Sequence, residues 1–455
     1  MENCETIGIF HYQLGLSDGV SLEVEKWKTV LERMGHKVIL VAGRLGNQDG
    51  VLLPMLYHHQ NEIELINEVF RGERHSLSPI EMGDLIQHRV QQLETELKKA
   101  ILENKIGVLL VNNIWSVGLH LPAAIALEKV RQELDLPTIA HHHDFYWERK
   151  GLVPDEFSFL NDLAEDYLPP QDPKIKHVVI NSIAKKQCLD RKGINATIVP
   201  NVFEFESPAW GVDDFNRDLR QLIGLDQNDI CVLQGTRIIP RKGIELAIDL
   251  VHALNAPHRQ TALEKRGLYD GRTFTSDNKI VLVLAGYDRD DPTGEYLNKL
   301  KLKAEKLGVE LRHVDYLIGQ ERTCHHARKI YSLWDAYTIA DFVTYPSMWE
   351  GWGNQFLEAI KAKLPIVLFD YPVYKQDIEP NGFNVISLGS EITGRDAANL
   401  VTISEDVIQR AADQCVDYLT NCQLRKEMVE KNFQIGEQNY SYDCLRHHIS
   451  NLIMR

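Results

Sequence analysis

Short runs of apolar residues alternate with longer amphipathic stretches along the whole chain. In the first half, the predicted strands are residues 6–11, 37–42, 108–111, 138–141, 177–180 and 197–199. In the second half, they are residues 230–234, 280–285, 311–314, 342–345, 366–369 and 384–386. Because strands that alternate with helices form parallel sheets covered by helices, the pattern predicts an α/β fold.

The amphipathic stretches predict helices and a boundary between two halves. One helix is predicted at 22–34, where it ends before Gly35, and a long one at 79–104. The pattern lapses at 203–214, which predicts a linker, and the last helical stretch covers 427–454. Residues 256–278 are polar and lack periodicity, so they predict a loop insertion.

Composition narrows the class of protein. The chain has 455 residues, 44% of them hydrophobic, which is enough for two or three domains. The net charge of −15 argues against nonspecific binding to nucleic acid or to anionic membranes. Seven scattered cysteines, no signal peptide and no membrane-length apolar run predict a cytoplasmic protein. The sequence leaves open whether the protein forms a homo-oligomer.

The segment from Glu350 to Glu358 carries the most informative chemistry. It places one carboxylate before a tight turn and another on the helix that begins near Asn354. Free backbone N–H groups at a helix start suit a phosphate, and carboxylates accept hydrogen bonds from sugar hydroxyls. The plainer alternative is a capped helix with two surface glutamates.

A second strand end supplies positive charge. Arg237 and Lys242 follow the strand at 230–234, and Lys242 directly precedes Gly243 and a helix at 244–254. Arg241 has the same charge but is one position farther from the helix start. Because ligands bind at the carboxyl ends of parallel strands, two cations there suit a leaving diphosphate. A solvated loop is the alternative.

Three adjacent histidines, His141 to His143, end a strand of the first half and precede Asp144. Alternate residues of a strand point to opposite faces, so the three imidazoles cannot converge on one metal ion. No metal site is predicted. Asp18 and Gly19 follow the first strand without the glycine pattern of a nicotinamide dehydrogenase.

Together these motifs resemble the retaining glycosyltransferases of family 4, the glycosyl transferases group 1. The resemblance also includes Val199-Pro200-Asn201 and covers nearly the whole chain. Two blocks, residues 18–28 and 141–149, are similar to a subgroup that contains mannosylglucosylglycerate synthases. The family usually has Phe where Trp352 stands and Gly where Asp18 stands.

The resemblance implies a GT-B fold, with two Rossmann-like doubly wound domains facing a central cleft. Residues 1–205 are then the acceptor domain, 215–430 the donor domain, and 431–455 a helix that packs back on the first domain. The implied catalytic residues are His143, Arg237, Lys242 and Glu350. The implied donor-binding residues are Gly19, Arg237, Lys242, Gly286, Tyr316, Leu317, Gly351, Trp352, Gly353, Asn354 and Glu358. The implied acceptor-binding residues are Asp18, Asn113, Asp144, Tyr146 and Arg149.

The expected activity is transfer of a hexose, with retention, from a GDP-mannose or UDP-glucose type donor. The expected acceptor is a small soluble molecule such as glucosylglycerate, as in the synthesis of a compatible solute. No obligatory cofactor is implied beyond the GDP- or UDP-linked donor; Mg²⁺ is possible but is not expected in the site. The alternatives are a nucleotide-sugar epimerase or hydrolase of the same fold, a sucrose- or trehalose-type synthase, and a non-catalytic nucleotide-sugar-binding partner.

Overall fold

The chain folds into two compact units. The structure, a computed structural model, describes residues 5–15, 18–73, 77–148, 151, 153–288, 290–291, 293–325 and 328–453. The N-terminal unit comprises Met1–Val202 and Tyr442–Arg455, and the C-terminal unit comprises Phe203–Ser441. Each unit contains its own parallel sheet.

The N-terminal unit is built on seven parallel strands. They are β1 (Thr6–His11), β2 (Lys37–Ala42), β3 (Val51–Leu52), β4 (Val108–Asn112), β5 (Thr138–His142), β6 (Ile175–Val179) and β7 (Thr197–Ile198). Their order is β3-β2-β1-β4-β5-β6-β7, so the winding reverses between β1 and β4. The helices between them are α1 (Gly19–Arg33), α2 (Asn61–Phe70), α3 (Pro79–Glu103), α4 (Leu121–Glu133), α5 (Phe159–Tyr167) and α6 (Ser182–Lys192).

The C-terminal unit repeats this plan with a smaller sheet. Its strands are β8 (Ile230–Gln234), β9 (Ile280–Leu284), β10 (Glu310–His313), β11 (Ile318–Gly319), β12 (Thr323–His325), β13 (Arg328–Ser332), β14 (Phe342–Tyr345), β15 (Ile366–Leu368), β16 (Ile386–Ser387), β17 (Gly394–Arg395) and β18 (Val401–Thr402). The six-stranded parallel sheet has the order β10-β9-β8-β14-β15-β16, and its winding reverses between β8 and β14. Its helices are α7 (Leu219–Leu222), α8 (Ile244–Leu254), α9 (Pro257–Arg266), α10 (Glu295–Leu307), α11 (Leu333–Thr338), α12 (Asn354–Lys361), α13 (Glu405–Thr420) and α14 (Cys422–Tyr440).

The last helix, α15 (Tyr442–Ile453), belongs to the N-terminal unit. Leu445 and Ile449 of this helix share an apolar cluster with Trp27 of α1 and with Ile7 and Ile9 of β1. The opposite face of the same sheet packs against α2 to α5. Because both faces are covered, the central strands are apolar at successive positions, which is typical of parallel sheets.

The α/β prediction is confirmed, and several predicted elements coincide with observed ones. Strands β1, β2, β8 and β14 and helix α8 have the predicted bounds. The predicted loop at 256–278 is wrong, because Pro257–Arg266 forms α9. Its sequence hides the helical pattern because one of its inward positions is Arg259, whose guanidinium lies 2.8 Å from Asp413. In the described part of the chain, no helix is long and apolar enough to cross a bilayer.

Candidate functional site

Several charged candidate residues of the C-terminal unit lie where its sheet reverses direction. Strands β8 and β14 are hydrogen-bonded neighbours although more than a hundred positions separate them in sequence. The turn Pro240–Lys242 follows β8, and Glu350 follows β14. Their carboxyl ends therefore bring Lys242 and Glu350 together, at the place where open α/β sheets bind ligands.

Glu350 and Lys242 form a buried ion pair. Lys242 Nζ donates to Glu350 Oε1, and Arg241 Nη1 lies 3.0 Å from Glu350 Oε2. Burial alone would raise the pKa of Glu350, but the attraction of Lys242 and then of Arg241 lowers it below its ordinary value. Glu350 is therefore ionised at neutral pH and compensates two cations.

Arg237 lies beside this pair and is more exposed. Its guanidinium forms an ion pair with Asp290, and both side chains are about two-fifths exposed, at 40% and 41%. The charge of Arg237 also acts on the ionisation of Lys242, which shows that the two cations lie in one electrostatic environment. Gly286 follows β9 next to this loop, and a Cβ at Gly286 would collide with the Thr236 carbonyl oxygen. The absence of a side chain lets the two strand ends approach each other.

The turn after Glu350 is held by aromatic side chains. Gly353 has φ +114°, and a Cβ there would collide with the Tyr371 hydroxyl. That hydroxyl donates to the Trp352 carbonyl oxygen at 2.8 Å. The Trp352 ring is buried, 5.2 Å from the ring of Tyr440. The indole of Trp352 thus belongs to the core, while Gly351 and Asn354 flank the turn and Asn354 opens α12.

Glu358 lies on α12 and accepts a hydrogen bond from a tyrosine of another helix. The Tyr337 hydroxyl donates to Glu358 Oε2 at 2.7 Å, and both residues are buried. The Tyr337 ring packs 5.5 Å from the Trp210 ring. This packing fixes one oxygen of the carboxylate.

Tyr316 and Leu317 form a short turn after β10, at the sheet edge beyond β9. Tyr316 is 56% exposed and Leu317 is buried. An exposed phenol ring at this strand end can stack on a flat ligand.

The candidate site of the N-terminal unit is centred on His143, directly after β5. The His143 backbone N–H donates to Asn113 Oδ1 at 2.8 Å, and His143 Nε2 lies 3.3 Å from Asn112 Oδ1. Asn113 has φ +57°, a conformation that asparagine tolerates better than most residues. The end of β4 therefore positions the imidazole that follows β5.

The three adjacent histidines divide between the two faces of the sheet. The rings of His141 and His143 are 4.2 Å apart, whereas His142 Nε2 lies 3.0 Å from His177 Nδ1. Burial, together with the nearby His141, holds the pKa of His143 well below its ordinary value. The imidazole is thus neutral at neutral pH. Within the described ranges, no three His, Cys, Asp or Glu side chains converge as a metal site.

The remaining candidates of the N-terminal unit differ in their contacts and burial. Asp18 caps α1: its Oδ1 accepts from the backbone of Val20 and Ser21 at 3.1 and 3.0 Å. Gly19 is the first helical residue, and a Cβ there would meet nothing. The Tyr146 ring lies 5.8 Å from the Phe70 ring, and Asp144 is half-buried. Arg149 lies outside the described residues.

Sequence reasoning missed three residues that shape these sites. Arg241 binds Glu350, Tyr337 binds Glu358, and Asn112 contacts His143. Arg241 was passed over because it is one position farther from the helix than Lys242. Tyr337 lies on another helix, so no local motif marks it. Asn112 directly follows the predicted strand at 108–111, and its place beside Asn113 is the signal that marks it.

Comparison with known proteins identifies the family of the chain. A family model described as Glycosyl transferases group 1 matches residues 215–388. The mannosylglucosylglycerate synthase of Thermotoga maritima is 37% identical over 450 residues, covering 98% of this chain and 99% of that protein.

Solved structures share the fold. A glycosyltransferase from Rickettsia africae has a TM-score of 0.60 at 14% identity, covering 99% of this chain and 98% of that chain. Anabaena Alr3699/HepE in complex with UDP and glucose has a TM-score of 0.54 at 13% identity, covering 98% and 99%. The predicted GT-B architecture is confirmed. On the whole-chain identity to the synthase, this protein is a glycosyltransferase that belongs to the glycosyl transferases group 1 family.

Proposed function

We propose that the protein transfers a mannosyl group from a GDP-mannose type donor to a hydroxyl of glucosylglycerate, with retention of configuration. The name of the Thermotoga maritima relative supports this substrate pair, and a UDP-glucose type donor is the alternative. The observation that carries the proposal is the buried Lys242–Glu350 pair at the reversal point of the sheet. It supplies a fixed positive charge beside a carboxylate.

In this proposal the C-terminal unit binds the donor. Arg237 and Lys242 hold the diphosphate and stabilise the charge that develops as it leaves. Glu358, whose position is fixed by the Tyr337 phenol, accepts a hydrogen bond from the ribose. Glu350 keeps Lys242 oriented and accepts a hydrogen bond from a hydroxyl of the transferred sugar. Gly286, Tyr316 and Leu317 line the nucleoside end, and the turn from Gly351 to Asn354 lies along the sugar and phosphate.

The N-terminal unit contributes acceptor-binding residues and orders the sugar. His143, as a neutral imidazole, can both donate to and accept from hydroxyl groups. Asn112 and Asn113 hold it in place, while Asp144, Tyr146 and Arg149 contribute to the acceptor side. Asp18 caps α1, and Gly19 is the first residue of that helix.

The proposed transfer of the sugar needs no reactant other than the donor and the acceptor. The bond between the anomeric carbon and the diphosphate oxygen breaks, and the acceptor oxygen bonds to the same face of that carbon. The proton of the acceptor hydroxyl goes to the leaving diphosphate, whose other charges remain paired with Arg237 and Lys242.

The test is a product analysis with purified protein. GDP-mannose and UDP-glucose are each incubated with and without glucosylglycerate, and nucleoside diphosphate and saccharide products are quantified. Acceptor-dependent release of GDP and an α-linked mannosyl product support the proposal. Epimerised or hydrolysed sugar in the absence of acceptor would instead identify a nucleotide-sugar epimerase or hydrolase.

A further inference from the structure

Arg241 and Trp349 form a partly exposed pair at the edge of the Lys242–Glu350 ion pair. The guanidinium carbon lies 5.8 Å from the centroid of the Trp349 ring. The Trp349 side chain is 44% exposed, which is unusual for a residue with so large an apolar surface. The Arg241 side chain is 33% exposed.

The backbone around this pair is fixed. Arg241 Nη1 donates to the Trp349 carbonyl oxygen at 2.9 Å and to Glu350 Oε2 at 3.0 Å. In return, the Met348 N–H donates to the Arg241 carbonyl oxygen at 3.0 Å. A Cβ at Gly243 would collide with the Pro346 carbonyl oxygen, so the two loops are in direct contact. The guanidinium is therefore presented in one orientation.

One edge of that guanidinium is unused. Both hydrogen bonds of the Arg241 side chain come from Nη1, so Nε and Nη2 have no acceptor among the residues that the structure describes. These two N–H groups are coplanar and parallel, and this is the fork that matches the two oxygens of a carboxylate. An indole beside the fork offers an apolar face to the carbon atoms next to such a group.

We propose that Arg241 and Trp349 bind the carboxylate end of the acceptor. The inference rests on the proposed function, in which the acceptor contains a glycerate unit. The Nε/Nη2 edge of Arg241 takes the carboxylate in a two-point interaction, and the Trp349 ring covers the adjoining carbon chain. Lys242 and Arg237 remain for the diphosphate of the donor. Arg241 is then a specificity-determining residue that favours an acidic over a neutral acceptor.

A diphosphate could use the same fork, so the experiment must separate the two anions. Arg241→Lys keeps the charge and removes the fork, and Arg241→Gln removes both. Arg266→Lys is the control, because Arg266 is an exposed arginine paired with Asp417 on another helix. KM is measured for glucosylglycerate and for its carboxamide at saturating GDP-mannose, and GDP affinity is measured by calorimetry.

Arg241→Lys should raise the KM for glucosylglycerate by about tenfold, the loss expected for a charged two-point hydrogen bond. The KM for the carboxamide and the affinity for GDP should stay unchanged. A matching loss of GDP affinity would assign the fork to the donor diphosphate and overturn the proposal. Equal losses for the carboxylate and the carboxamide would overturn it too.

Trp349→Leu separates the role of the ring from that of the charge. It should raise the KM for the carboxylate and the carboxamide to a similar extent, because the ring contacts carbon. If neither KM changes, the ring has no part in the subsite.

Direct binding keeps this inference distinct from the proposed function. Should the wild-type protein transfer no sugar at all, calorimetric titration of glucosylglycerate into the GDP-bound protein still decides the question. Weaker binding in Arg241→Lys than in the wild type and Arg266→Lys supports the subsite, and equal or undetectable binding in all three contradicts it.

Discussion

The two units hold their candidate functional side chains in opposite electrostatic states. In the C-terminal unit, Glu350 is buried but ionised, because Lys242 and Arg241 compensate its charge. In the N-terminal unit, His143 is kept neutral by burial and by the nearby His141, while amide groups hold it in place. The candidate site of one unit is thus built on paired charges, and that of the other on a neutral imidazole held by amides.

The neutral histidines predict the largest effect, which is on stability in acid. Burial lowers the pKa of His141 to about 3 and that of His120 and His177 to about 4, from an ordinary value of 6.5. Below pH 6.5 the unfolded chain binds protons that these folded side chains cannot bind, so stability is intact above pH 7 and falls as the pH drops through 6.5. Each such group should cost about 2 kcal/mol between pH 7 and pH 5.

The measurement is the free energy of unfolding from urea titrations at pH 7 and pH 5. His177→Asn is the matched variant: the difference between the two pH values should shrink by about 2 kcal/mol. If the wild-type protein is equally stable at both pH values, the contrast between the units is wrong.

The next largest effects are expected when the cations Lys242 and Arg237 of the C-terminal unit are replaced. Lys242→Ala and Arg237→Ala should each lower kcat by about 100-fold, because each removes a fixed positive charge from the leaving diphosphate. The two variants should differ in their free energy of unfolding. Lys242→Ala leaves a buried carboxylate short of a partner and should cost on the order of 3 kcal/mol, whereas Arg237, with 40% of its side chain exposed, should leave the melting temperature nearly unchanged.

Kinetics and thermal unfolding of both variants check this pair of expectations. Wild-type kcat in either variant would remove that residue from the diphosphate site. Equal melting temperatures would show that the Lys242–Glu350 pair does not contribute to the fold.

The two glutamates should divide their effects between binding and transfer. Glu358→Gln should weaken GDP binding by about tenfold, since a charged hydrogen-bond acceptor for the ribose is lost. Glu350→Gln should spare GDP binding and lower kcat, because the proposed function places Glu350 at the transferred sugar and because Glu350 orients Lys242. Calorimetry with GDP and steady-state kinetics provide the two readouts; the same loss of GDP affinity in both variants would mean that the roles are assigned wrongly.

The smallest effect is expected for His143, which offers hydrogen bonds without charge. His143→Ala should lower kcat/KM by about tenfold, the value of one to two neutral hydrogen bonds. Wild-type activity should persist in a strong chelator. Chelator-sensitive turnover, together with a bound transition metal that His143→Ala loses, would replace this account with a metal site.

The sequence was most informative where chemistry and structure share one segment. Strand β14, the turn after Glu350 and helix α12 are contiguous, so a local pattern predicts all three. Strand β8 and helix α8 carry the same kind of signal around Lys242.

Contacts between distant segments could not be predicted in this way. The Tyr337–Glu358 hydrogen bond joins two helices, and Asn112 reaches His143 from a different strand. Helix α9 was missed for a related reason, since Arg259 is buried by partners on α13 and not by its own apolarity. Local patterns report which side chains are apolar, whereas these features depend on which polar side chains meet after folding.

The most direct test of the account is a titration of acceptor against donor breakdown. GDP release from GDP-mannose is followed with the wild-type protein as glucosylglycerate is increased from zero. The account predicts almost no release without acceptor, a saturable rise with it, and a rate about 100-fold lower in Lys242→Ala. Release that does not depend on acceptor, or that Lys242→Ala leaves intact, would contradict the claim that this site activates a sugar for transfer.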